Sequence, residues 1–199
     1  MAMLDAAVLS VAATRQAGGW LESVEAAIPD ESWNERAALA QAWWTLGQRD
    51  SFSPYLDRGR QQAKSLAQTP AASAELWYFL GTIGEADGDL GSAEEAYRRA
   101  IALNPDTVFA RNNLAMVLAE YGGDLNEAVG LAERVIEARP EDPNFHDTLA
   151  FVLMQAGRLD EAERAIRVAM ELDPSNPAWR VRLEEINARR ADGRGAKAE

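Results

Sequence analysis

The sequence predicts an all-α protein in which antiparallel helix pairs stack into a solenoid. Apolar and small residues recur with a period of roughly 34 residues, which is typical of an array built from one repeated helix–turn–helix unit. Hydrophobic residues make up 47% of the 199 residues, and the common residues Ala, Leu, Glu and Arg favour helix. No stretch alternates polar and apolar residues over the length of a strand.

Residues 74–107 define the repeat unit. Gly88 and Asp89 break the chain between two helices, and Asp89 is placed to cap the second helix through its side chain. Pro105 ends the unit because proline interrupts a helix. The residues that share the seam between the two helices, or let them approach closely, are Trp77, Leu80, Gly81, Ala93, Tyr97 and Ala100.

These residue types at these places resemble the tetratricopeptide repeat (TPR), a helix–turn–helix unit of about 34 residues. In the stretches NNLAMVLAEYGGDLNEA and DTLAFVLMQAGRLDEA the chain looks most like bacterial TPR arrays. The resemblance covers residues 74–186 strongly and residues 40–73 more weakly. It implies a right-handed α-solenoid, a TPR superhelix, that binds proteins and is not an enzyme.

The repeat register predicts the elements in order. Leu4, Val8 and Val11 form one apolar stripe, Gly18–Gly19 is predicted to end that helix, and a second stripe follows. We therefore expect residues 1–31 to form an N-terminal helical hairpin, a degenerate repeat that caps the array. The other predicted elements are a divergent repeat over 32–73 that opens with a capping box of Ser32 and Glu35, repeats over 74–107, 108–142 (with one inserted residue) and 143–176, a C-terminal capping helix over 177–190 and a disordered tail over 191–199.

Charge and composition narrow the classes of partner. The formal net charge of -12 and the pI near 4.6 argue against nucleic acid, whose phosphates an acidic protein repels. Cysteine is absent, which excludes disulfides. The opening MAMLDAAVLSVAA has no basic residue and carries Asp5, so we expect no signal peptide, and no run is long enough to insert in a membrane. These features predict a soluble protein, cytoplasmic or periplasmic, with the compartment left open.

Catalytic and metal-binding patterns are weak. The sequence has no G-x-S-x-G, P-loop or H-E-x-x-H motif, so we expect no catalytic residues, no metal and no cofactor. The single histidine, His146, falls at the repeat position of Trp77 and is predicted to pack. Asp87-Gly88-Asp89 resembles the start of a calcium loop, but no acid closes the loop, so an interhelical turn is the better interpretation.

The family resemblance implies a groove lined by the first helix of each unit. Glu75 and Asp147 would favour Lys or Arg of a partner, and aromatic residues would seat its apolar side chains, although they would also suit packing against a neighbouring helix. The candidate groove residues are Trp44, Glu75, Tyr78, Thr82, Phe109, Asn112, Asn113, Met116, Asn144, Asp147 and Phe151.

Two functional hypotheses follow. The first is a non-enzymatic scaffold whose groove binds a peptide or helix with basic and apolar side chains. The alternative is a self-assembling structural module that forms homo-oligomers through its terminal helices or convex faces. TPR domains that clamp the carboxylate end of chaperone tails need cations where Asn144 and Thr148 stand here, so that sub-function is not expected.

Overall fold

The computed structural model describes residues 2–49, 54–69 and 72–195, with side chains from residue 13 to residue 192. These described residues form helices and no strand, which confirms the all-α prediction. The helices are α1 (Ala2–Ala27), α2 (Trp33–Gln48), α3 (Pro54–Leu66), α4 (Ala74–Asp87), α5 (Leu90–Leu103), α6 (Val108–Tyr121), α7 (Leu125–Ala138), α8 (Pro143–Gln155), α9 (Leu159–Leu172) and α10 (Ala178–Gly195).

The chain divides into two compact units, residues 1–83 (unit one) and residues 84–199 (unit two). Unit one contains α1, α2, α3 and most of α4. Its core is built on Trp43, which is fully buried with its ring 5.1 Å from that of Tyr55. The Trp43 indole N–H donates to Glu25 Oε2 at 3.2 Å, and Gln62 Nε2 donates to Glu25 Oε1 at 2.8 Å. Glu25 therefore ties α1 to both α2 and α3.

The predicted N-terminal hairpin is wrong, because α1 is a single helix of 26 residues that continues through Gly18 and Gly19. Gly18 is buried, and a Cβ there would overlap the Tyr55 hydroxyl. The glycine thus makes room for the aromatic ring of α3 and does not end the helix. The side chains of Leu4, Val8 and Val11 lie outside the described residues.

Small residues set the distance between α2 and α3. A Cβ at Gly59 would lie 2.6 Å from the Ala40 carbonyl oxygen and 2.6 Å from the Trp44 nitrogen, so the two backbones touch.

The predicted capping box at the start of α2 is wrong, because the Ser32 side chain makes no capping hydrogen bond. Arg36 donates instead to the carbonyl oxygens of Pro29 and Ile28, at 3.1 and 3.3 Å, which holds the α1–α2 connection.

Unit two repeats one arrangement: α6 packs on α7, α8 packs on α9, and α10 packs on both α8 and α9. Each turn that ends the first helix of a pair contains a glycine with positive φ, at Gly88 (72°), Gly122 (77°) and Gly157 (74°). Glycine adopts this left-handed conformation without steric cost, so the turn falls at the same place in these three repeats. The fully buried side chains of this unit include Tyr97, Leu114, Val135, Ile166 and Ile186.

In unit two, α5 and α7 each begin after an aspartate whose side chain caps the helix. Asp89 accepts a hydrogen bond from the Ser92 backbone N–H at 3.1 Å, and Asp124 accepts one from that of Asn126 at 2.8 Å. The Glu127 side chain pairs with Arg98, 2.5 Å away, and joins α5 to α7.

The predicted end of ordered structure at residue 190 is also wrong, because α10 continues to Gly195. Arg190 donates to Glu163 at 2.7 Å and to Asp160 at 2.9 Å, and Arg189 donates to the Met154 carbonyl oxygen at 3.3 Å. These bonds to α8 and α9 hold a stretch that lacks an apolar stripe. Residues 196–199 of the predicted tail lie outside the described residues.

Candidate partner-binding groove

A groove of about 400 Å³ lies in unit one between the N-terminal halves of α2 and α4. Its floor is apolar, since Leu76 and Phe79 are buried and Ala37 and Ala38 are too small to fill the space above them. Polar groups stand along its sides. The lining residues are Asn34, Ala37, Ala38, Gln41, Ser73, Glu75, Leu76 and Phe79. We call this surface the α2–α4 groove.

Glu75 supplies the negative charge of the α2–α4 groove. It is exposed in the first turn of α4, where a carboxylate is favoured by the helix dipole. Hydrogen bonds from its own backbone N–H and from the Ser73 side chain hold the pKa of the Glu75 carboxyl below its usual value. The carboxylate therefore stays ionised at neutral pH and is available to a cationic side chain.

Trp44 does not lie on an accessible surface. It is 6% exposed, its ring meets that of Phe79 edge-on at 6.4 Å, and Arg60 lies 5.4 Å from it. The assignment of Trp44 to the groove is therefore wrong, and the exposed residue of α2 that lines the α2–α4 groove near it is Gln41.

Tyr78 and Thr82 are half-buried on α4. The Thr82 hydroxyl donates to the Phe79 carbonyl oxygen at 2.7 Å, which turns it back on its own helix. Of the residues near Glu75, Leu76 and Phe79 line the α2–α4 groove instead. The side of α4 that borders this groove is thus rotated from the one that the repeat register predicts.

In unit two, α6 presents Phe109, which is 54% exposed although its ring lies 5.8 Å from that of buried Phe145. Met116 is half-buried further along the same helix. Asn112 Nδ2 donates to Asn113 Oδ1 at 3.2 Å, and Asn113 Nδ2 donates to the Tyr97 hydroxyl at 3.1 Å. Both asparagines therefore belong to an internal polar network, and Phe109 is the side chain of this set that offers most surface.

That network ends at Glu85. The Tyr97 hydroxyl donates to Glu85 Oε2, and Asn113 Nδ2 lies 3.4 Å from the same oxygen. Burial raises the pKa of the Glu85 carboxyl, and the nearby Glu120 charge raises it further, whereas the hydrogen bonds lower it; the net direction is upward.

The predicted residues of α8 already have partners within unit two. Arg182 of α10 makes two bonds to the Asp147 carboxylate, at 2.9 and 3.3 Å, and its guanidinium lies 4.9 Å from the centre of the Phe151 ring. Asn144 is exposed, and its side chain donates to Asp142 Oδ1 at 2.9 Å. A basic side chain was predicted for Asp147, and here the chain's own last helix provides it.

His146 was the remaining candidate for a catalytic or metal-binding side chain, and it packs in the interior of the fold. His146 is buried, and its Nε2 lies 2.8 Å from the Pro140 carbonyl oxygen. Across residues 2–49, 54–69 and 72–195, no group of three or more His, Cys, Asp or Glu side chains is arranged to hold a metal ion. In the same part of the chain, no helix combines the length and the apolar character that crossing a membrane requires.

The sequence interpretation missed Asn34, the Ala37–Ala38 pair and Phe79. Two signals point to them. Adjacent small residues one turn before Gln41 leave space on α2, and Phe79 lies one turn after Glu75 on α4.

Two sequence profiles, both described as tetratricopeptide repeat, match residues 74–117 and 122–185, which together span more than half of the chain. A TPR repeat-containing protein of Pseudomonas aeruginosa is 31% identical over 101 residues, 51% of this chain and 17% of that protein. The probable biofilm formation methyltransferase WspC of Pseudomonas putida is 38% identical over 86 residues, 41% of this chain and 20% of that protein. The chain thus spans a fifth or less of the length of both relatives.

Among solved structures, MamA (41-end) of Desulfovibrio magneticus RS-1 superposes with a TM-score of 0.66 at 22% identity, over 82% of this chain and 90% of that one. This likeness shows the fold. Profiles, relatives and fold agree with the turn glycines and helix pairs described above, and the chain belongs to the tetratricopeptide repeat family.

Proposed function

We propose that the chain is a non-enzymatic interaction module that binds a segment of a partner protein in the α2–α4 groove. Tetratricopeptide repeats generally mediate protein–protein interactions, which supports a binding role. The observation that carries the proposal is the groove itself, a space of about 400 Å³ with an apolar floor and an ionised carboxylate at its side.

The lining of the groove favours a partner segment that carries an apolar side chain next to a basic one. A long apolar side chain fits over Leu76 and Phe79, where it loses contact with water. A Lys or Arg next to it pairs with Glu75, and the side chains of Asn34 and Gln41 can hydrogen-bond to the backbone of an extended segment. The partner is therefore a basic and apolar peptide segment, which the net charge of -12 also attracts.

Phe109 of unit two is proposed as a separate contact. An exposed aromatic ring supported from behind by Phe145 is a rigid apolar surface of the kind that dominates binding energies. Asp147 and Phe151 contribute less, because Arg182 occupies them.

Peptide selection tests the proposal. We would select binders to the purified chain from a phage-displayed library of random dodecapeptides and measure the affinity of the strongest by fluorescence anisotropy. Glu75→Gln keeps the shape and removes the charge, so we expect about fivefold weaker binding. Glu95→Gln is the matched control on an exposed position of α5 and should leave the affinity unchanged.

The selection also separates the two hypotheses. Peptides rich in Lys or Arg beside an apolar residue, bound by a monomer, support the binding module. No selected peptide, together with a mass that rises with concentration in light scattering, would favour the self-assembling alternative. Equal affinity of Glu75→Gln and wild type for every selected peptide would refute the α2–α4 groove as the site.

A further inference from the structure

A second groove runs along the other side of α2, between α2 and α1. It has a volume of about 440 Å³ and lies wholly within unit one. Trp20, Thr45 and Arg49 line it, and Ala38 and Gln41 line both this groove and the α2–α4 groove. The two grooves therefore border the same two residues of α2, one groove on each side of the helix. We call the new one the α1–α2 groove.

The α1–α2 groove differs from its neighbour in chemistry. Trp20 is 66% exposed, and the small residues Ala17 and Ala42 leave open space beside its indole. Arg49 is the charged residue of the lining, whereas Glu75 is that of the α2–α4 groove. The two grooves together, which we call the trough, thus have an anionic end on α4, the small exposed residue Ala38 between them, and an apolar, cationic end on α1 and the last turn of α2.

We propose that the α1–α2 groove is the second half of the partner site, and that it takes a large apolar side chain against Trp20 and an acidic group at Arg49. This inference rests on the proposed function and extends it. Charge complementarity fixes the direction of the bound segment, with its basic side chain at Glu75 and its acidic group at Arg49. From Gln41 to Arg49 the helix rises about 12 Å, which about four extended residues span.

The occupant is therefore a short peptide segment with a basic, an apolar and an acidic residue in that order along the trough. A basic peptide without the acid would bind the α2–α4 groove alone. A second copy of the chain as occupant would appear as a mass that rises with concentration and falls to the monomer value in Trp20→Ala.

Arg49→Glu reverses the charge in the lining of the α1–α2 groove, so it should reverse the charge that this groove selects in a peptide. Random dodecapeptides displayed on phage would be selected against the wild-type chain and against Arg49→Glu. We expect wild-type binders to carry Asp or Glu at a constant spacing from their Lys or Arg, and Arg49→Glu binders to carry Lys or Arg at that place instead. Arg15→Glu is the control, since Arg15 is exposed on α1 and lines neither groove, and it should select the wild-type pattern.

Trp20→Ala tests the apolar contact. The strongest wild-type binder should lose about tenfold in affinity, as expected when an aromatic anchor is removed. Trp33→Ala is the matched control, because Trp33 is 40% exposed on α2 and lines neither groove. Circular dichroism should show the same helicity in both variants.

The results that would overturn this inference alone differ from those that would also overturn the proposed function. Peptides that need Glu75 but bind Trp20→Ala and wild type equally, and whose pattern is unchanged by Arg49→Glu, would overturn this inference and leave the α2–α4 groove standing. Peptides that do not need Glu75, or no peptides at all, would overturn the proposed function and this extension with it.

Discussion

Gly59 is where α3 crosses α2 at backbone contact, and its replacement by alanine tests that packing. The added Cβ would lie 2.6 Å from both the Ala40 carbonyl oxygen and the Trp44 nitrogen. Both atoms belong to the backbone of α2, so no side chain can rotate away to relieve the overlap. Relief requires the two helices to separate, which loosens the packing around Trp43 and Trp44.

The magnitude follows from two opposing terms. Overpacking a close contact costs about 3 kcal/mol at the upper end of its usual range, since only backbone atoms can yield. The higher helix propensity of alanine offsets about 1 kcal/mol of this. We therefore expect Gly59→Ala to lower the free energy of unfolding by about 2 kcal/mol.

Urea unfolding followed by far-ultraviolet circular dichroism measures this change, with Gly19→Ala as the matched control in unit one. A Cβ at Gly19 meets nothing within 4 Å. In a continuous α1 the control should raise stability by about 0.5 to 1 kcal/mol. A Gly59→Ala variant as stable as wild type would refute the close crossing of α2 and α3, and a destabilised Gly19→Ala would refute the continuous α1.

Two further predictions concern unit two. Because the pKa of Glu85 is raised on folding, its protonated form stabilises the fold at low pH, and this contribution disappears as pH rises through the raised pKa. Glu85→Gln keeps an acceptor for Tyr97 and has no such titration, so its stability relative to wild type in urea should improve from pH 4 to pH 8; a constant difference over this range would contradict the burial of the carboxylate. Arg182→Gln breaks the paired bonds to Asp147 and should cost about 2 kcal/mol in the same assay. The exposed control Arg180→Gln should stay within about 0.5 kcal/mol, and equal losses in the two variants would show that the ion pair contributes nothing.

The repeat fold was predictable because its signals are local. Gly88 and Gly157 fall at fixed places in the repeat, and each is a turn residue with positive φ. Asp89 was predicted as a cap from its place before a helix, and it caps α5. Such features depend on a few neighbouring residues, so one sequence is enough to identify them.

The two ends of the chain were mispredicted for a different reason. Gly18 looks like a helix end in sequence, but its role depends on Tyr55, 37 positions later, whose hydroxyl occupies the place of a side chain. The stretch after residue 190 looks like a disordered tail in sequence, but α10 continues to Gly195, and acceptors on α8 and α9 hold Arg189 and Arg190 directly before that stretch. Contacts between residues distant in the chain decided both cases, and local pattern carries no record of them.

Little of the α2–α4 groove was predictable from the sequence, because Glu75 is the one residue of the eleven candidates that lines it. Glu75 was identified from the repeat register, but on α2 the register selected buried Trp44 and not exposed Gln41, three positions earlier. Two adjacent tryptophans do not indicate in sequence which side of α2 is exposed, and in the structure both Trp43 and Trp44 are buried. Asp147 likewise matched the expected chemistry, while its partner Arg182 lies in the chain itself.

Blocking the trough is the most direct test of partner binding. Ala38 is exposed on α2 and lines both grooves, so Ala38→Trp places a large side chain between them without touching the core. Ala26→Trp places the same side chain on an exposed position of α1 that lines neither groove. In isothermal titration calorimetry with the strongest selected peptide, we expect Ala38→Trp to lose at least about tenfold in affinity and Ala26→Trp to match wild type. Equal affinities for all three proteins would contradict binding in this trough.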